Sequence, residues 1–370
     1  MDPIILYGSP FSLYSGRARS YFIKNGIDYR EVAPVSRHYE DHVLPAAGGR
    51  RSMPTIEFAD GSVIRDSVAI VDHFEQENGY GNSPQLPKQK IINLLLDVIG
   101  AEGMLRPAMH YRWHFKENEK LVRYQFEHIT PIDPPWEFTV EGRFTRMHQA
   151  SIDLGVPEEH YTLVESLYFN LLRKLDAHFE NYPYLLGGKP SVADYGLIAP
   201  MYGHLSRDIK PLSILHEHGI WVLRWVERMN RPEPDVGEYD NPLQDYVEDD
   251  EIPDTLVDVL KQFAIDFVPE TLAACDVTNE FLAAESPAVG SEMVRVSGFG
   301  TFTVKGDAMR ASAQPFRFYL LKRAQDAYEK LNVSDRKDVT HLLERCDMLP
   351  LMGAKLTREI GRNNNLETWL

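Results

Sequence analysis

The stretch Ile4-Ile-Leu-Tyr7-Gly-Ser-Pro-Phe-Ser-Leu-Tyr-Ser-Gly-Arg17-Ala-Arg19, with Ser52-Met-Pro-Thr-Ile56 some thirty residues further on, decides the fold of this chain. Ile4 to Tyr7 reads as a strand, Gly8-Ser-Pro10 as a turn, and the segment carrying Arg17 and Arg19 as a helix that ends at Lys24-Asn-Gly26. Pro54 stands just before a second strand, Thr55 to Phe58. An Asp60-Gly61 turn and a short strand over Ser62 to Ile64 follow. Asp66-Ser67 then opens a helix, both being favoured N-cap residues. The parts are those of a small α/β domain over residues 1–80.

The rest of the chain is longer and reads differently. After Gly79-Tyr-Gly-Asn-Ser-Pro84, residues 88–235 look all-helical. Ile91 to Ile99 is apolar at helical spacing, and a long helical segment dense in aromatics runs from Glu102 to Ile129. Prolines and Trp136 break it over 131–144. Val164, Leu167, Tyr168, Leu171, Leu172, Leu175 and Phe179 recur at three and four, predicting a strong amphipathic helix. Ser191-Val-Ala-Asp194 has capping-box spacing and reads as structural. Residues 245–370 are expected to be a mostly helical extension packing on the helical domain. Helices are predicted from Ile252-Pro-Asp254 to Ala284, over Phe316 to Leu331 and over Val339 to Cys346. Gly298–Val304 and Ala308–Gln314 alternate like a β-hairpin around Lys305-Gly-Asp307.

Composition narrows the class. The chain has 370 residues, 43% of them hydrophobic, which suggests two or three domains with real cores. No run approaches the roughly 18 apolar residues of a membrane span, and Met1-Asp-Pro-Ile-Ile lacks the pattern of a signal peptide. A cytoplasmic protein without membrane association is the expectation. Cys275 and Cys346 form neither a disulfide framework nor a metal-ligand spacing, so no metal is expected. A formal net charge of −16 disfavours nucleic acid. Glu248-Asp-Asp-Glu251 reads as a solvated linker.

Over roughly residues 1–235 the chain resembles the glutathione S-transferase family: a thioredoxin-like N-terminal domain followed by an all-α C-terminal domain. In glutaredoxins and cysteine-type transferases the turn after the first strand reads Pro-[Phe/Tyr]-Cys-Pro-Tyr, with an arginine five residues beyond the cysteine and often another at seven. Here the same spacing reads Pro10-Phe11-Ser12-Leu13-Tyr14, with Arg17 and Arg19 in register. Ser12 thus stands at the cysteine position and Ser15 at that of a second cysteine, so disulfide exchange by the family's usual route is not expected. The resemblance implies that Ser12 donates a hydrogen bond to the sulfur of glutathione and favours thiolate over thiol, whose free pKa is about 8.5. Taken alone, Ser12 reads equally as the cap of the first helix. Tyr7, Ser9 and Ser15 are the alternatives, Tyr7 because tyrosine-type transferases use a phenol on the first strand.

For the co-substrate glutathione, the resemblance implies a cis Pro54 that turns the Met53 backbone toward the cysteinyl unit. It places Asp66 and Ser67 at the γ-glutamyl end, the carboxylate resting on the helix N-terminus; Asp66 is shorter than the family's Glu or Gln. For the glycyl carboxylate the candidates are Arg37, His38, Arg50 and Arg51, with Arg51 preferred. A hydrophobic electrophile would lie against Phe11, Met109, Tyr111 and Trp113, with His110, Arg112 and His114 as polar groups; aromatics spaced this way in a helix are also ordinary core. The implied function is a transferase, suited to detoxification and working as a homodimer, with the extension a candidate to obstruct the pairing surface. A glutathione-dependent isomerase or peroxidase is the alternative, and a non-catalytic scaffold on the same fold is a third reading.

Overall fold

The computed structural model describes residues 3–131 and 134–370. Met1 and Asp2, and part of the break expected over 131–144, lie outside them. The chain opens with β1 (Ile4–Tyr7), α1 (Leu13–Lys24), β2 (Tyr29–Val32) and a π-helical turn over Tyr39–Val43 that runs into α2 (Leu44–Ala46). It continues with β3 (Thr55–Glu57), β4 (Val63–Arg65) and α3 (Ser67–Asn78). The four strands form one sheet in the order β2-β1-β3-β4, with β1 parallel to β2 and antiparallel to β3. Strand alternation gives the sheet two different faces. Leu6 and Ile56 enter the main core with Ala18 and Phe22 of α1 and Ile70 and Val71 of α3. Tyr7 and Val63 pack on the other face against Tyr39 and Val43.

Among the described residues, eight further helices follow in two groups before the extension. α4 (Pro87–Val98), α5 (Leu105–Trp113), α6 (Glu119–His128), α7 (Val140–Asp153) and α8 (Tyr161–Phe179) come first. α9 (Val192–Pro200), α10 (Ile209–His218) and α11 (Ile220–Met229) complete the helical region. The expected continuous segment from Glu102 to Ile129 is instead a π-helical turn at Ile99–Gly103, α5, a 3₁₀ turn and α6. At the π-helical turn a Cβ on Gly100 would lie 2.2 Å from the Gly196 backbone, so the chain leaves no room for a side chain there. At the break between α5 and α6, Asn118 donates Nδ2 to Tyr111 O (2.6 Å) and accepts at Oδ1 from Ile209 N (3.1 Å). The expected break over 131–144 is also shorter, because α7 already begins at Val140, capped by Thr139 accepting from Gly142 N.

The extension holds α12 (Asp254–Glu285), β5 (Gly298–Val304), β6 (Asp307–Ala313), α13 (Phe316–Glu329), α14 (Val333–Arg345), β7 (Ile360–Asn363) and β8 (Leu366–Trp369). The β5–β6 hairpin is present; the β7–β8 hairpin was not anticipated. Packing unites the three regions: Leu6, Leu172, Trp225, Phe263, Leu321 and Trp369 belong to one continuous cluster. α12 packs on α8, and α13 and α14 pack on α4. The acidic segment expected as a solvated linker does structural work at Asp250, whose carboxylate accepts from Lys88 N (2.8 Å) and Gln89 N (2.9 Å). It caps α4, whose own N-cap Leu86 has no polar side chain. Among the described residues no helix is long and apolar enough to cross a membrane.

Candidate active site

The turn after β1 is built from three serines. Ser12 N donates to Ser9 O (3.1 Å), Ser9 N to Ser15 Oγ (3.3 Å) and Ser15 N to Ser12 Oγ (3.3 Å). Gly8 makes room for the turn, since a Cβ there would lie 2.9 Å from Ser15 Oγ. Arg19 holds it from below, with Nη2 on Ser9 O (3.2 Å) and the guanidinium forked on Glu31 (2.7 Å twice). Arg17, also buried, lies 2.7 Å from Asp97 of α4. Both arginines of the motif therefore serve the frame.

Of the four candidate nucleophile-activating residues, three are buried: Tyr7 (4% exposed), Ser9 (2%) and Ser15 (0%). Ser12 is half-buried. It caps α1 as an acceptor, and a hydroxyl that accepts one bond still has its proton to give. Tyr7 donates to Glu57 Oε2 (2.8 Å). Burial first, and then that carboxylate, push the phenol far above its ordinary value, the wrong direction for a group that is to share its proton with a thiolate.

The second half of the motif lies where the sheet ends. The Met53–Pro54 bond is cis. Pro54 O accepts from Asp66 N (3.0 Å), which ties this loop to the start of α3. Asp66 has a φ of 83° and caps α3 by accepting from Val68 N (2.9 Å) and Ala69 N (3.4 Å). Burial raises its carboxyl above the usual range, opposed by the charge of Arg362. Ser67 is 1% exposed, and its Oγ has no hydrogen-bond partner in the protein. An orphaned buried hydroxyl at a helix N-terminus fits an incoming carboxylate, which the adjoining backbone amides also favour.

Arg51 is forked on Glu40, one bond being 2.6 Å, and its guanidinium stands 5.1 Å over the Phe138 ring. Arg50 donates to Met293 O (3.1 Å) and pairs with Glu292 and Glu367. Both line a cleft of about 950 Å³ together with Met53; Arg37 and His38 do not. The cleft's other walls were not foreseen: Ile129, Phe138, Arg143 and Arg146 from the α6–α7 region, and Glu292 to Arg295 from the extension. The spacing Arg143-x-x-Arg146 places two cations on neighbouring helical positions and was the available signal.

The four residues expected against an electrophile do not line this cleft. Phe11 packs edge-on against Phe126 at 5.7 Å, and Trp113 stacks on Phe126 at 5.9 Å. Tyr111 is buried between Phe115 and Tyr168, and Met109 is 6% exposed. Arg112 is spent on Asp208 (2.8 and 2.9 Å), Gly203 O (2.7 Å) and Phe11 O (3.1 Å), so it anchors the residue before Ser12 to the helical region. His110 meets Glu165 (2.9 Å), and burial followed by the charges of His110 and His148 pushes His114 down to about 4. Among the described residues no cluster could hold a metal ion.

Residues 6–83 match the family model described as "Glutathione S-transferase, N-terminal domain". Similar solved structures include the glutathione transferase GSTFuA3 from Phanerochaete chrysosporium (16% identity, 63% of this chain, 98% of that one, TM-score 0.44). Another is the beta-etherase LigF from Sphingobium sp. strain SYK-6 (17% identity, 64% and 98%, TM-score 0.43). A third is a glutathione S-transferase from Methylobacterium radiotolerans in complex with glutathione sulfonate (14% identity, 66% and 100%, TM-score 0.38). No curated protein matches the chain.

Proposed function

We propose, from the premise that residues 6–83 are a glutathione S-transferase N-terminal domain, that the chain is a glutathione transferase in which Ser12 activates the thiol. The observation that carries this reading is the pairing of a half-buried Ser12 hydroxyl, with its proton to give, and an unpartnered Ser67 hydroxyl at the next helix N-terminus. Glutathione lies between them, its γ-glutamyl carboxylate on Ser67 and its backbone along Met53. Arg50 or Arg51 faces the glycyl end. Ser12 O–H donates to the sulfur, and the N-terminal end of α1 adds positive potential, so the S–H proton leaves more readily. The thiolate then forms a bond to an electrophilic carbon, with the displaced electron pair passing to a leaving group or to a conjugated acceptor.

Ser12 also caps its own helix, which favours the second reading: a protein that binds glutathione without turning it over. Calorimetry with glutathione, followed by ultraviolet absorbance of the bound thiolate, separates the two. The transferase reading expects binding with a thiolate signal at neutral pH, and loss of that signal and of conjugation in Ser12→Ala with affinity nearly kept. Binding without the signal supports the second reading, and absence of binding removes both. A cytoplasmic homodimer completes the proposal. Since α13 and α14 lie on α4, such a dimer uses surfaces the extension leaves open, and sedimentation tests it.

A further inference from the structure

The 950 Å³ cleft beside Met53 is cationic in an acidic protein. The chain carries 55 acidic residues against 39 lysines and arginines, yet five arginines and one carboxylate line this cleft. Arg50 already holds that carboxylate, Glu292, and Arg51 is matched by Glu40. Arg143 donates to two neutral carbonyls, Phe138 O (2.9 Å) and Ile129 O (3.0 Å). Arg146 and Arg295 are exposed and make no ion pair or side-chain hydrogen bond with a described residue. Three guanidinium groups surround one phenyl ring: those of Arg51, Arg143 and Arg146 stand 5.1, 5.5 and 5.8 Å from the Phe138 centroid.

The cations disfavour one another. Burial, and then the charges of Arg146 and Arg51, push Arg143 down to about 10. Arg295 is lowered too, by partial loss of water and then by Arg50, Arg146 and Arg65. An anion in the cleft would relieve this repulsion and meet planar, forked donors suited to carboxylate, sulfonate or phosphate oxygens. Phe138, Ile129 and Met53 add apolar wall for a ring or chain.

We infer that the side of this cleft formed by Arg143, Arg146 and Arg295, beside the Met53, Arg50 and Arg51 assigned to glutathione, binds a small organic anion, an aromatic or apolar body carrying at least one carboxylate, sulfonate or phosphate. Resting on the transferase reading, that anion is the electrophilic second substrate, so the enzyme selects charged acceptors rather than purely hydrophobic ones. The extension supplies Glu292 to Arg295, which gives it a part in substrate choice.

The test uses the full chain and two probes of nearly the same ring system, 8-anilinonaphthalene-1-sulfonate and uncharged N-phenyl-1-naphthylamine, titrated by fluorescence. The sulfonate is expected to bind at least about tenfold more tightly than the neutral probe and to weaken as salt rises. The exposed pair Arg146→Gln/Arg295→Gln should weaken sulfonate binding about tenfold or more and leave the neutral probe unchanged. Glu292→Gln, which removes the one carboxylate, should tighten it. Equal affinity of the two probes, or an unchanged sulfonate affinity in the double variant, overturns the inference. Glutathione calorimetry on wild type keeps the two claims apart. No glutathione binding with intact, arginine-dependent probe binding removes the transferase reading alone. Glutathione binding with arginine-independent probe binding removes the cleft alone.

Discussion

Arg65 and Glu367, 302 residues apart in the chain, meet as a buried ion pair joined by hydrogen bonds of 3.0 and 2.8 Å. Arg65 ends edge strand β4 and immediately precedes Asp66, so the last hairpin of the extension is fastened next to the candidate γ-glutamyl site. Glu367 also takes Arg362 and, at 3.4 Å, Arg50. Removing one partner of a buried pair leaves the other charge uncompensated, at about 3–5 kcal/mol. Glu367→Ala is therefore expected to lower the urea midpoint by that equivalent, with Glu367→Gln intermediate. An unmoved midpoint would mean that the hairpin is not anchored here.

The same hairpin closes the sheet. Asn364 and Asn365 form its two-residue turn with φ of 46° and 64°, values that asparagine tolerates better than most residues. Asn365 Oδ1 accepts from Arg65 N (3.1 Å), and Nδ2 donates to Val63 O (3.0 Å) and Ala46 O (3.1 Å). One side-chain amide thus stands where a fifth strand would pair. Asn365→Ala should cost about 1–3 kcal/mol and accelerate hydrogen exchange at the Arg65 amide while β1 and β3 keep their protection.

Ser67→Ala separates a binding role from a structural one. Its hydroxyl has no partner in the protein, so the variant should unfold at the wild-type midpoint or slightly above it. Glutathione affinity should fall about tenfold, the worth of one hydrogen bond to a carboxylate. Unchanged affinity would place the γ-glutamyl group elsewhere.

Arg112→Ala should be costly twice. It strands the buried Asp208 carboxylate, worth about 3–5 kcal/mol, and releases Phe11 O beside Ser12. Conjugation per folded molecule should drop along with stability. A variant that loses stability but retains full activity per folded molecule would show that the clamp does not position Ser12.

His178 sets an acid limit. It is fully buried between Thr255 Oγ1 (2.8 Å) and Leu185 O (3.1 Å), and burial pushes it down to about 4. An unfolded chain holds that proton up to about pH 6.5, so between 6.5 and 4 it binds more protons than the fold does. Stability from this group is complete above pH 6.5 and is lost as pH falls toward 4, by up to about 3 kcal/mol. His178→Gln should flatten the pH dependence of the urea midpoint in that window; an unchanged slope would assign it to other groups.

Local chemistry was legible where it is local. The β1 turn, Asp66 as N-cap and the β5–β6 hairpin each rest on contacts within a few residues, whereas the cis Met53–Pro54 bond was implied by the family resemblance alone. Asp194 was read as structural from its spacing to Ser191. It accepts from Ser191 N and Oγ (2.9 Å each), and also from Leu185 N and Trp225 Nε1 (3.0 Å each), two partners that no spacing announces. The break inside the Glu102–Ile129 segment is not legible in the sequence, because Asn118 is tied to both Tyr111 O (2.6 Å) and Ile209 N (3.1 Å) only in the folded chain.

By itself the sequence determined that a strand, a serine-rich turn and a helix would be followed by a proline-led hairpin, since backbone preferences and caps act over a few residues. Only the tertiary structure decided that Ser12 would be half-buried while Ser9 and Ser15 are enclosed. It alone brought Glu367 to Arg65, and Arg143, Arg146 and Arg295 to one cleft. Burial and charge density depend on which distant segments pack together, and that is settled by the shared core rather than by any residue's neighbours in the chain.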